Sequence, residues 1–460
     1  MKKNRKWGIS LRVFIYTSVV MLYVVSQFVS GSVIRYSIGI MAMAALIVSA
    51  FYARGVYAIS GAVFFGIGTI LFFYNDYPWH TFILHFEQVL GLLSLFFVLP
   101  FMNSLIRVGR YDQNLSLWLQ RGATNASALY RRSFSVCHLL GLFLNIATVP
   151  LLVKSLRVAL REFQKQIADK FYTQNLLRAY ALCLTWSPME VMISTTIDIT
   201  HVRYYMILPI LLFMAIVMAG VDWIFSSYKY RHLPVTSSGP HVEYPKQVYQ
   251  KVIQLLAMLL IFIFIVSLLQ HVLHKGFLFS VVISLVPVSL LWAMLMRKTK
   301  RYIVIAVQHW KERTKGLANY FFMFLSAGLC VEMLSHSRLR DALEAVFQIE
   351  TEQTIWLYIM IGAYFLVTSF FGFHPLVALT LLASLLRPML PMIPAVPLSI
   401  VLICCSLATV MYSPYNLSVS ILAEELKANP YRIGIWNIWF AISYMAISIF
   451  IAFMIEKILY

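Results

Sequence analysis

The chain has 460 residues, of which 61% are hydrophobic and only 12% are charged, and its mean hydropathy is +0.79. Because soluble domains carry about 25% charged residues, this composition excludes a sizeable soluble domain and indicates an all-α polytopic membrane protein. The formal net charge is +19, but the basic residues fall in short loops between apolar runs. The positive-inside rule accounts for them, and we expect no nucleic-acid partner.

Apolar runs long enough to span a bilayer follow one another along the chain. A hydrocarbon core of about 30 Å requires about 20 apolar residues per helix. The first run follows a basic N-terminus and is too long for a signal peptide, so residues 1–32 are predicted to hold an uncleaved helix with a cytoplasmic N-terminus. About eleven spans are predicted, at residues 11–31, 33–53, 55–74, 83–105, 179–200, 203–225, 250–273, 276–296, 317–334, 395–424 and 433–456.

The apolar run 133–153 lies between two basic clusters. Arg131 and Arg132 precede it, and a basic segment from Lys154 to Arg178 follows it, predicted to be a cytoplasmic arm. A single crossing would place one of these clusters outside the cell. A re-entrant hairpin with its tip at Asn145–Pro150 keeps both clusters in the cytoplasm, and we therefore predict a hairpin here.

Two predicted spans carry matching Ser-Pro interruptions. The stretch TWSPMEVMIS (185–194) lies in the run 179–200, and MYSPYNLSVS (411–420) lies in the run 395–424. Their serines are separated by 413 − 187 = 226 positions. Proline removes a backbone donor and clashes with the preceding turn, and in lipid such a break survives only where it is buried or lines a cavity. Both spans are therefore predicted to be broken helices.

The run 354–386 is too long for one span and contains Gly-Phe-His-Pro in its middle, so it is predicted to be a second hairpin that enters from outside. Pro375 follows Pro150 by 375 − 150 = 225 positions, close to the offset of the Ser-Pro pairs. A polar segment, 226–249, then joins two similar halves, 33–225 and 250–460. Because one half starts outside and the other inside, they are predicted to form an inverted repeat.

The hairpin tips at Asn145–Pro150 and Phe371–Pro375, with the breaks at Ser187-Pro188 and Ser413-Pro414, resemble the ion transporter superfamily. The resemblance in topology covers nearly the whole chain. Within that superfamily, the chain is similar to divalent-anion/sodium symporters and to the large membrane subunit of tripartite dicarboxylate transporters. It implies a solute held between hairpin tips and broken helices, and an elevator-like movement of that unit against a scaffold. The sodium-coupled dicarboxylate members carry Ser-Asn-Thr at each tip, which this sequence does not reproduce.

The candidate solute- and ion-binding residues all come from the hairpin tips and the breaks. Broken helices expose backbone groups, and the N-termini of half-helices favour anions. A carboxylate in mid-membrane is costly, so Glu190 is predicted to carry a coupling proton or to ligate a cation. The full set is Asn145, Thr148, Ser187, Glu190, Ser194, Gly372, His374, Ser413, Asn416 and Ser420.

Structural alternatives stay open for several of these residues. The Ser-Pro pairs could simply kink packed helices, and Glu190 could be a structural residue hydrogen-bonded across helices. His374 could gate a solute or only bond the backbone of the helix turn that it begins, and Thr148 could bond a helix carbonyl. The remaining polar residues in or near spans are interpreted as structural or interfacial: His85, Glu87, His138, Asp198, Asp222 and Glu332.

These patterns predict a secondary active transporter rather than an enzyme. It would move a small organic or inorganic anion across the prokaryotic cytoplasmic membrane, coupled to H+ or Na+, and its C-terminus would be external. The alternative is a membrane-embedded enzyme or flippase that acts on a lipid-linked substrate. The five cysteines show no metal-ligand spacing and no nucleotide-binding motif is present, so we expect no cofactor and no metal. The expected partners are the lipid bilayer and the solute, and a homodimer or a soluble binding protein stays open.

Overall fold

The computed structural model describes residues 2–120, 125–235, 246–337, 354–387 and 389–460. These residues are mostly helical, with one isolated bridge between Asn125 and Pro234. The α-helices are α1 (Lys2–Ser26), α2 (Ser32–Ala50), α3 (Gly55–Tyr74), α4 (Leu90–Val108), α5 (Tyr111–Gln120), α6 (Ala126–Leu144), α7 (Thr148–Leu156), α8 (Lys165–Leu184), α9 (Val191–Thr200), α10 (Tyr204–Tyr230), α11 (Lys246–Leu273), α12 (Phe277–Leu295), α13 (Thr299–Gly316), α14 (Ala318–Ser335), α15 (Thr354–Phe370), α16 (Pro375–Leu386), α17 (Ala395–Tyr412), α18 (Leu417–Leu426) and α19 (Pro430–Leu459). Short 3-10 helices cover Trp79–Val89, Asn145–Ala147 and Leu390–Met392.

Ten helical segments among the described residues are long and apolar enough to cross a membrane. This confirms the predicted class, a polytopic α-helical membrane protein. Two of the ten segments are interrupted, Ala126–Leu156 near Asn145 and Ala395–Leu426 between α17 and α18. Part of the predicted linker, 236–245, lies outside the described residues. So do residues 338–353, which precede the predicted second hairpin.

The chain divides into two compact units. Unit 1 consists of Met1–Leu105, Leu268–Ile349 and Thr380–Met389, and unit 2 consists of Ile106–Ser267, Glu350–Leu379 and Leu390–Tyr460. Both hairpin tips and both Ser-Pro breaks belong to unit 2. The residues proposed from the sequence to bind solute or ions therefore all lie within one unit.

In unit 1, α3 packs closely against α14 because glycine faces the neighbouring helix. A Cβ atom on Gly68 would lie 2.9 Å from the backbone nitrogen of Cys330, closer than a real Cβ approaches another heavy atom. On α1, the ring of Tyr16 stacks on Phe321 of α14 with centroids 4.1 Å apart. These contacts hold the first helices of the chain to α14.

In unit 2, α6 and α7 form the first hairpin. Helix α6 runs parallel to α8: Asn175 donates to the carbonyl of Tyr130 near the start of α6 (2.7 Å), and Tyr180 donates to Asn145 at its end. After a 3-10 turn, α7 packs on α5, α6 and α8. Since α5 directly precedes α6, α7 lies back toward the start of α6. The two helices cover 126–156, whereas the predicted hairpin covers 133–153, so Arg131 and Arg132 lie inside α6.

The second hairpin consists of α15 and α16. Tyr364 on the first arm donates to the carbonyl of Ala378 near the start of the second arm (2.9 Å), so the two arms meet next to the tip. From Thr380 onward the second arm belongs to unit 1. Helix α15 runs parallel to α17: Gly362 lies near Cys405, and the carbonyl of Ser369 accepts from Ser413 (2.8 Å). The arms occupy Thr354–Phe370 and Pro375–Leu386, within the predicted range 354–386.

The two broken helices run antiparallel to each other. At one end Ser399, near the start of α17, donates to Thr200 at the end of α9 (2.8 Å). At the other end Asn437 donates to the carbonyls of both Thr173 on α8 and Met411 on α17 (3.2 Å each). Since the first arm of each hairpin runs parallel to its own broken helix, α6 and α15 run in opposite directions.

The boundaries of these elements recur along the chain with one spacing. The half-helices α9 and α18 have 10 residues each and begin 417 − 191 = 226 positions apart. Their C-caps, His201 and Lys427, are both left-handed and are again 226 positions apart. The helices that follow begin at Tyr204 and Pro430, with the same difference of 226. The first broken helix begins at Lys165, earlier than the predicted start at 179.

Gly434 allows α19 to approach the second break, and its replacement by alanine is expected to destabilise the protein. A Cβ atom there would lie 2.1 Å from the carbonyl oxygen of Tyr412. Because this neighbour is backbone, we expect a loss of about 1–3 kcal/mol in unfolding free energy, measured as a lower Tm in detergent. The control is Gly220→Ala in α10, where no atom lies within 4 Å of the added methyl group. Equal Tm values for the two variants would contradict the close packing.

Candidate functional site

The first break lies between α8 and α9 and is lined by buried residues. Helix α8 ends at Leu184, and the backbone turns through Ser187 before α9 begins at Val191. Proline at position 188 accounts for this break, because it cannot supply a helical N–H. Tyr204 donates to the carbonyl of Trp186 (2.6 Å), and this bond satisfies one of the carbonyls that the break leaves free. Ser187 is buried, with 2% of its surface exposed.

Glu190 is the N-cap of α9. Its carboxylate accepts from the backbone N–H of Met192 at 3.4 Å, and the residue is 8% exposed. A carboxylate at this position also interacts favourably with the positive end of the helix dipole. Glu190, which was predicted from the sequence to lie in mid-membrane, therefore lies at the junction between the first break and the half-helix α9.

Asn145 and Thr148 lie at the tip of the first hairpin. Asn145 has φ 52°, and its side-chain oxygen accepts from Tyr180 of α8 and from the N–H of Ile146. Thr148 is fully buried, and its hydroxyl has no hydrogen-bond partner. The alternative in which Thr148 bonds a helix carbonyl is therefore not observed. Trp186 of the first break also donates to His138 of α6 (3.0 Å).

Unsatisfied hydroxyls also occur on α9, directly after the first break. The side-chain oxygens of Ser194, Thr195 and Thr196 are buried and have no hydrogen-bond partner. Buried polar groups are normally paired, so each such group calls for an explanation such as a ligand or an ordered water. Sequence reasoning singled out Ser194 but missed the two threonines, because hydroxyls in membrane helices usually bond the preceding turn.

The second break is tied directly to the tip of the second hairpin. Ser413 is fully buried and donates to the carbonyl of Ser369 (2.8 Å), and Tyr412 lies 3.1 Å from the hydroxyl of Ser369. Gly372, at the tip, has φ 84°, a conformation that glycine adopts without strain. A Cβ on it would meet the ring of Tyr415 at 3.6 Å. The hairpin tip and the break are therefore in direct contact.

Asn416 is the N-cap of α18 and the positional counterpart of Glu190. Its side-chain oxygen accepts from the N–H of Ser418 (3.1 Å) and from the Ser418 hydroxyl (2.8 Å). Ser418 was missed by the sequence analysis, since its counterpart in the first half is Met192. Ser420 is exposed, unlike its buried counterpart Ser194, and donates to the carbonyl of Pro414 (3.3 Å).

His374 begins α16 at the second hairpin tip. Its Nδ1 accepts from the N–H of Leu376 at 3.3 Å. A hydrogen bond to the backbone was the alternative to a gating role for His374. The structure contains such a bond. His374 and Gly372 lie at the same hairpin tip, and this tip contacts the second break.

The last helix, α19, contacts the surroundings of both breaks. Along α19, Asn437 bonds Met411 next to the second break, and Tyr444 lies 2.8 Å from the hydroxyl of Thr185 at the first break. The two positions differ by 444 − 437 = 7 residues, or about 10 Å of helix. The first hairpin tip accompanies the first break, and the second tip accompanies the second break.

A buried ion pair in unit 2 connects the helices around both breaks. Arg178 on α8 donates to Asp222 on α10 (2.5 Å) and to Asn437 on α19 (2.9 Å), and Tyr130 on α6 donates to the same aspartate (2.8 Å). The side chains of Arg178 and Asp222 are 12% and 1% exposed. Arg178, predicted from the sequence to lie in a cytoplasmic arm, lies within α8. An aspartate inside the apolar helix α10 was the signal that could have indicated a buried cation.

No protein-family model matches this chain, and no curated protein matches its sequence. Among solved structures, the fold is similar to that of the YdaH transporter of Alcanivorax borkumensis, whose crystal structure revealed an unusual topology. The two chains are 11% identical and align with a TM-score of 0.56 over 87% of this chain and 98% of the YdaH chain. At this identity the likeness establishes the fold, and it does not single out the ion transporter superfamily.

Proposed function

We propose that this protein is a secondary active transporter of a small solute in the cytoplasmic membrane. The observation that carries the proposal is the pair of helix breaks in unit 2, each next to a hairpin tip and each followed by a half-helix of 10 residues. Matched breaks of this kind are typical of the substrate and ion sites of secondary transporters. The likeness to a solved transporter supports the same class.

The antiparallel course of the two broken helices supports an inverted repeat made of 33–225 and 250–460. In such a repeat, the two hairpins approach the middle of the membrane from opposite sides. The recurrence of element boundaries at 226 positions supports the same division. We extend the proposal to an elevator-like movement of unit 2 with the solute, with unit 1 as the static part and the N-terminus in the cytoplasm.

The two breaks are proposed to bind species of opposite charge. At the first break, the carboxylate of Glu190 would bind the coupling H+ or Na+, and the unpartnered hydroxyls of Thr148 and Ser194 would supply neutral oxygen ligands. At the second break, the N-cap is the neutral Asn416, so the N-terminus of α18 carries no competing carboxylate. An anionic solute is therefore favoured at the second break, next to Ser413 and Gly372.

Purified protein in proteoliposomes tests this proposal. A thermal-shift screen with sulfate, phosphate, succinate and aspartate, with and without sodium and across pH, would first identify a solute that raises the Tm. Uptake of that solute is then expected to exceed its external concentration only under an imposed Na+ or H+ gradient. Vesicles with a collapsed gradient are the control. Flux that only equilibrates the solute would indicate a channel, and binding without any flux would favour the enzyme or flippase alternative.

A further inference from the structure

The basic helix α13 in unit 1 carries features that the proposed transport function does not use. It has 18 residues and contains five basic side chains and one acidic side chain. It begins shortly after the candidate span α12 ends and finishes shortly before the candidate span α14 begins. Because two membrane spans end at its two termini, α13 lies at the boundary between lipid and water.

One face of α13 is fixed against unit 1. Tyr302 lies 2.6 Å from the hydroxyl of Ser289 on α12, and His309 lies 3.0 Å from the hydroxyl of Ser104 on α4. Arg12 of α1 donates to the carbonyl of Lys315 near the end of the helix (3.0 Å). These contacts determine which side chains point away from the protein.

The outward face combines apolar and basic side chains in one arc. At 3.6 residues per turn, Lys300, Val304, Val307 and Lys311 fall within about 60° of each other. Val304 is 69% exposed and Val307 is 39% exposed, and both lysines are exposed. A helix face that is merely solvated has no reason to expose valines between its lysines. Apolar residues flanked by lysines are typical of a helix that lies in the headgroup region.

The neighbouring span α12 also exposes apolar side chains at the end that precedes α13. At the end of α12, Leu291 is 51% exposed and Leu295 is 74% exposed. These side chains lie at the lipid-facing end of a candidate span, directly before α13. Among the ion pairs of the described residues, none includes Lys300 or Lys311. Their charges are therefore available to an external anion.

We propose that the outward face of α13 is a binding surface for anionic phospholipid headgroups. The lysines would contact lipid phosphates while the valines insert between acyl chains. The density of basic residues places this helix on the cytoplasmic side, where anionic lipids act on juxtamembrane lysines. The inference depends on unit 1 and does not rest on the proposed transport function.

Native mass spectrometry of the full-length protein in detergent tests this surface. Phosphatidylglycerol is expected to bind more tightly than phosphatidylcholine. In the double variant Lys300→Gln/Lys311→Gln, phosphatidylglycerol should bind about 25-fold more weakly, about fivefold for each lysine, with phosphatidylcholine binding unchanged. Glutamine keeps the helix propensity of lysine, so the variant should keep its Tm in phosphatidylcholine.

The matched control is Lys154→Gln/Lys457→Gln, which removes the same charge from exposed positions in unit 2. This control should retain the affinity for phosphatidylglycerol. Equal losses in the two double variants would show that the effect follows net charge and would overturn the proposal. Equal affinities of the wild-type protein for the two lipids would also overturn the proposal.

Discussion

Replacement of Glu190 by glutamine is expected to lower gradient-driven solute uptake about tenfold or more, because an amide neither binds a proton nor neutralises a cation. Glutamine can still accept the bond from Met192, so the cap of α9 and the Tm should be retained. Uptake of the solute that raises the Tm, measured in proteoliposomes with an imposed Na+ or H+ gradient, provides the test.

The control for this substitution is Glu424→Gln, since Glu424 is an exposed carboxylate near the end of the other half-helix, α18. It should transport as the wild-type protein does. If Glu190→Gln also transported normally and kept the same dependence on the gradient, Glu190 would be a structural cap only, and coupling would have to be assigned elsewhere.

Substitution of Asp222 by alanine is expected to lower the free energy of unfolding by about 3–5 kcal/mol, because it leaves the buried guanidinium of Arg178 without its counter-charge. Tyr130 would lose its acceptor in the same change. Thermal unfolding in detergent measures the loss. In the double variant Arg178→Met/Asp222→Leu, a large part of the lost stability should return, since apolar groups can replace a buried ion pair.

An exposed ion pair of the same unit is the control for this experiment. Arg157 and Glu425 lie 3.8 Å apart, and their side chains are 66% and 25% exposed. Glu425→Ala should therefore cost about 0–1 kcal/mol. A similar small cost for Asp222→Ala would mean that water or another cation reaches the Arg178 pair, and the structural role assigned to it would be wrong.

The sequence was most informative where the chemistry is local. Proline acts on the turn before it, so Pro188 and Pro414 marked both breaks, and Gly372 marked a tip where φ is positive. The class of the fold followed from hydropathy alone, because a bilayer fixes the length of its spans. Helix ends were less well predicted, since α8 begins at Lys165 and includes charges that were assigned to a loop.

Contacts between distant residues could not be read from the sequence. Arg178 was counted as a cytoplasmic charge because its partner, Asp222, lies 44 positions later on another helix. The contacts of Asn437 and Tyr444 of α19 near the two breaks, about 10 Å apart along that helix, have no counterpart in the sequence pattern either. The hydroxyls left unpaired on α9 depend on side-chain packing and have no signature in the pattern of residues.

The constant offset of 226 positions has a consequence for protein engineering. The stretch from the cap at Glu190 to the helix that begins at Tyr204 has the same length as the stretch from Asn416 to Pro430. One extra residue in α9 would turn every later side chain by about 100° and shift it by about 1.5 Å. Epitope tags or linkers placed within this segment should therefore disrupt folding, while those at the exposed C-terminal end of α19 should be tolerated.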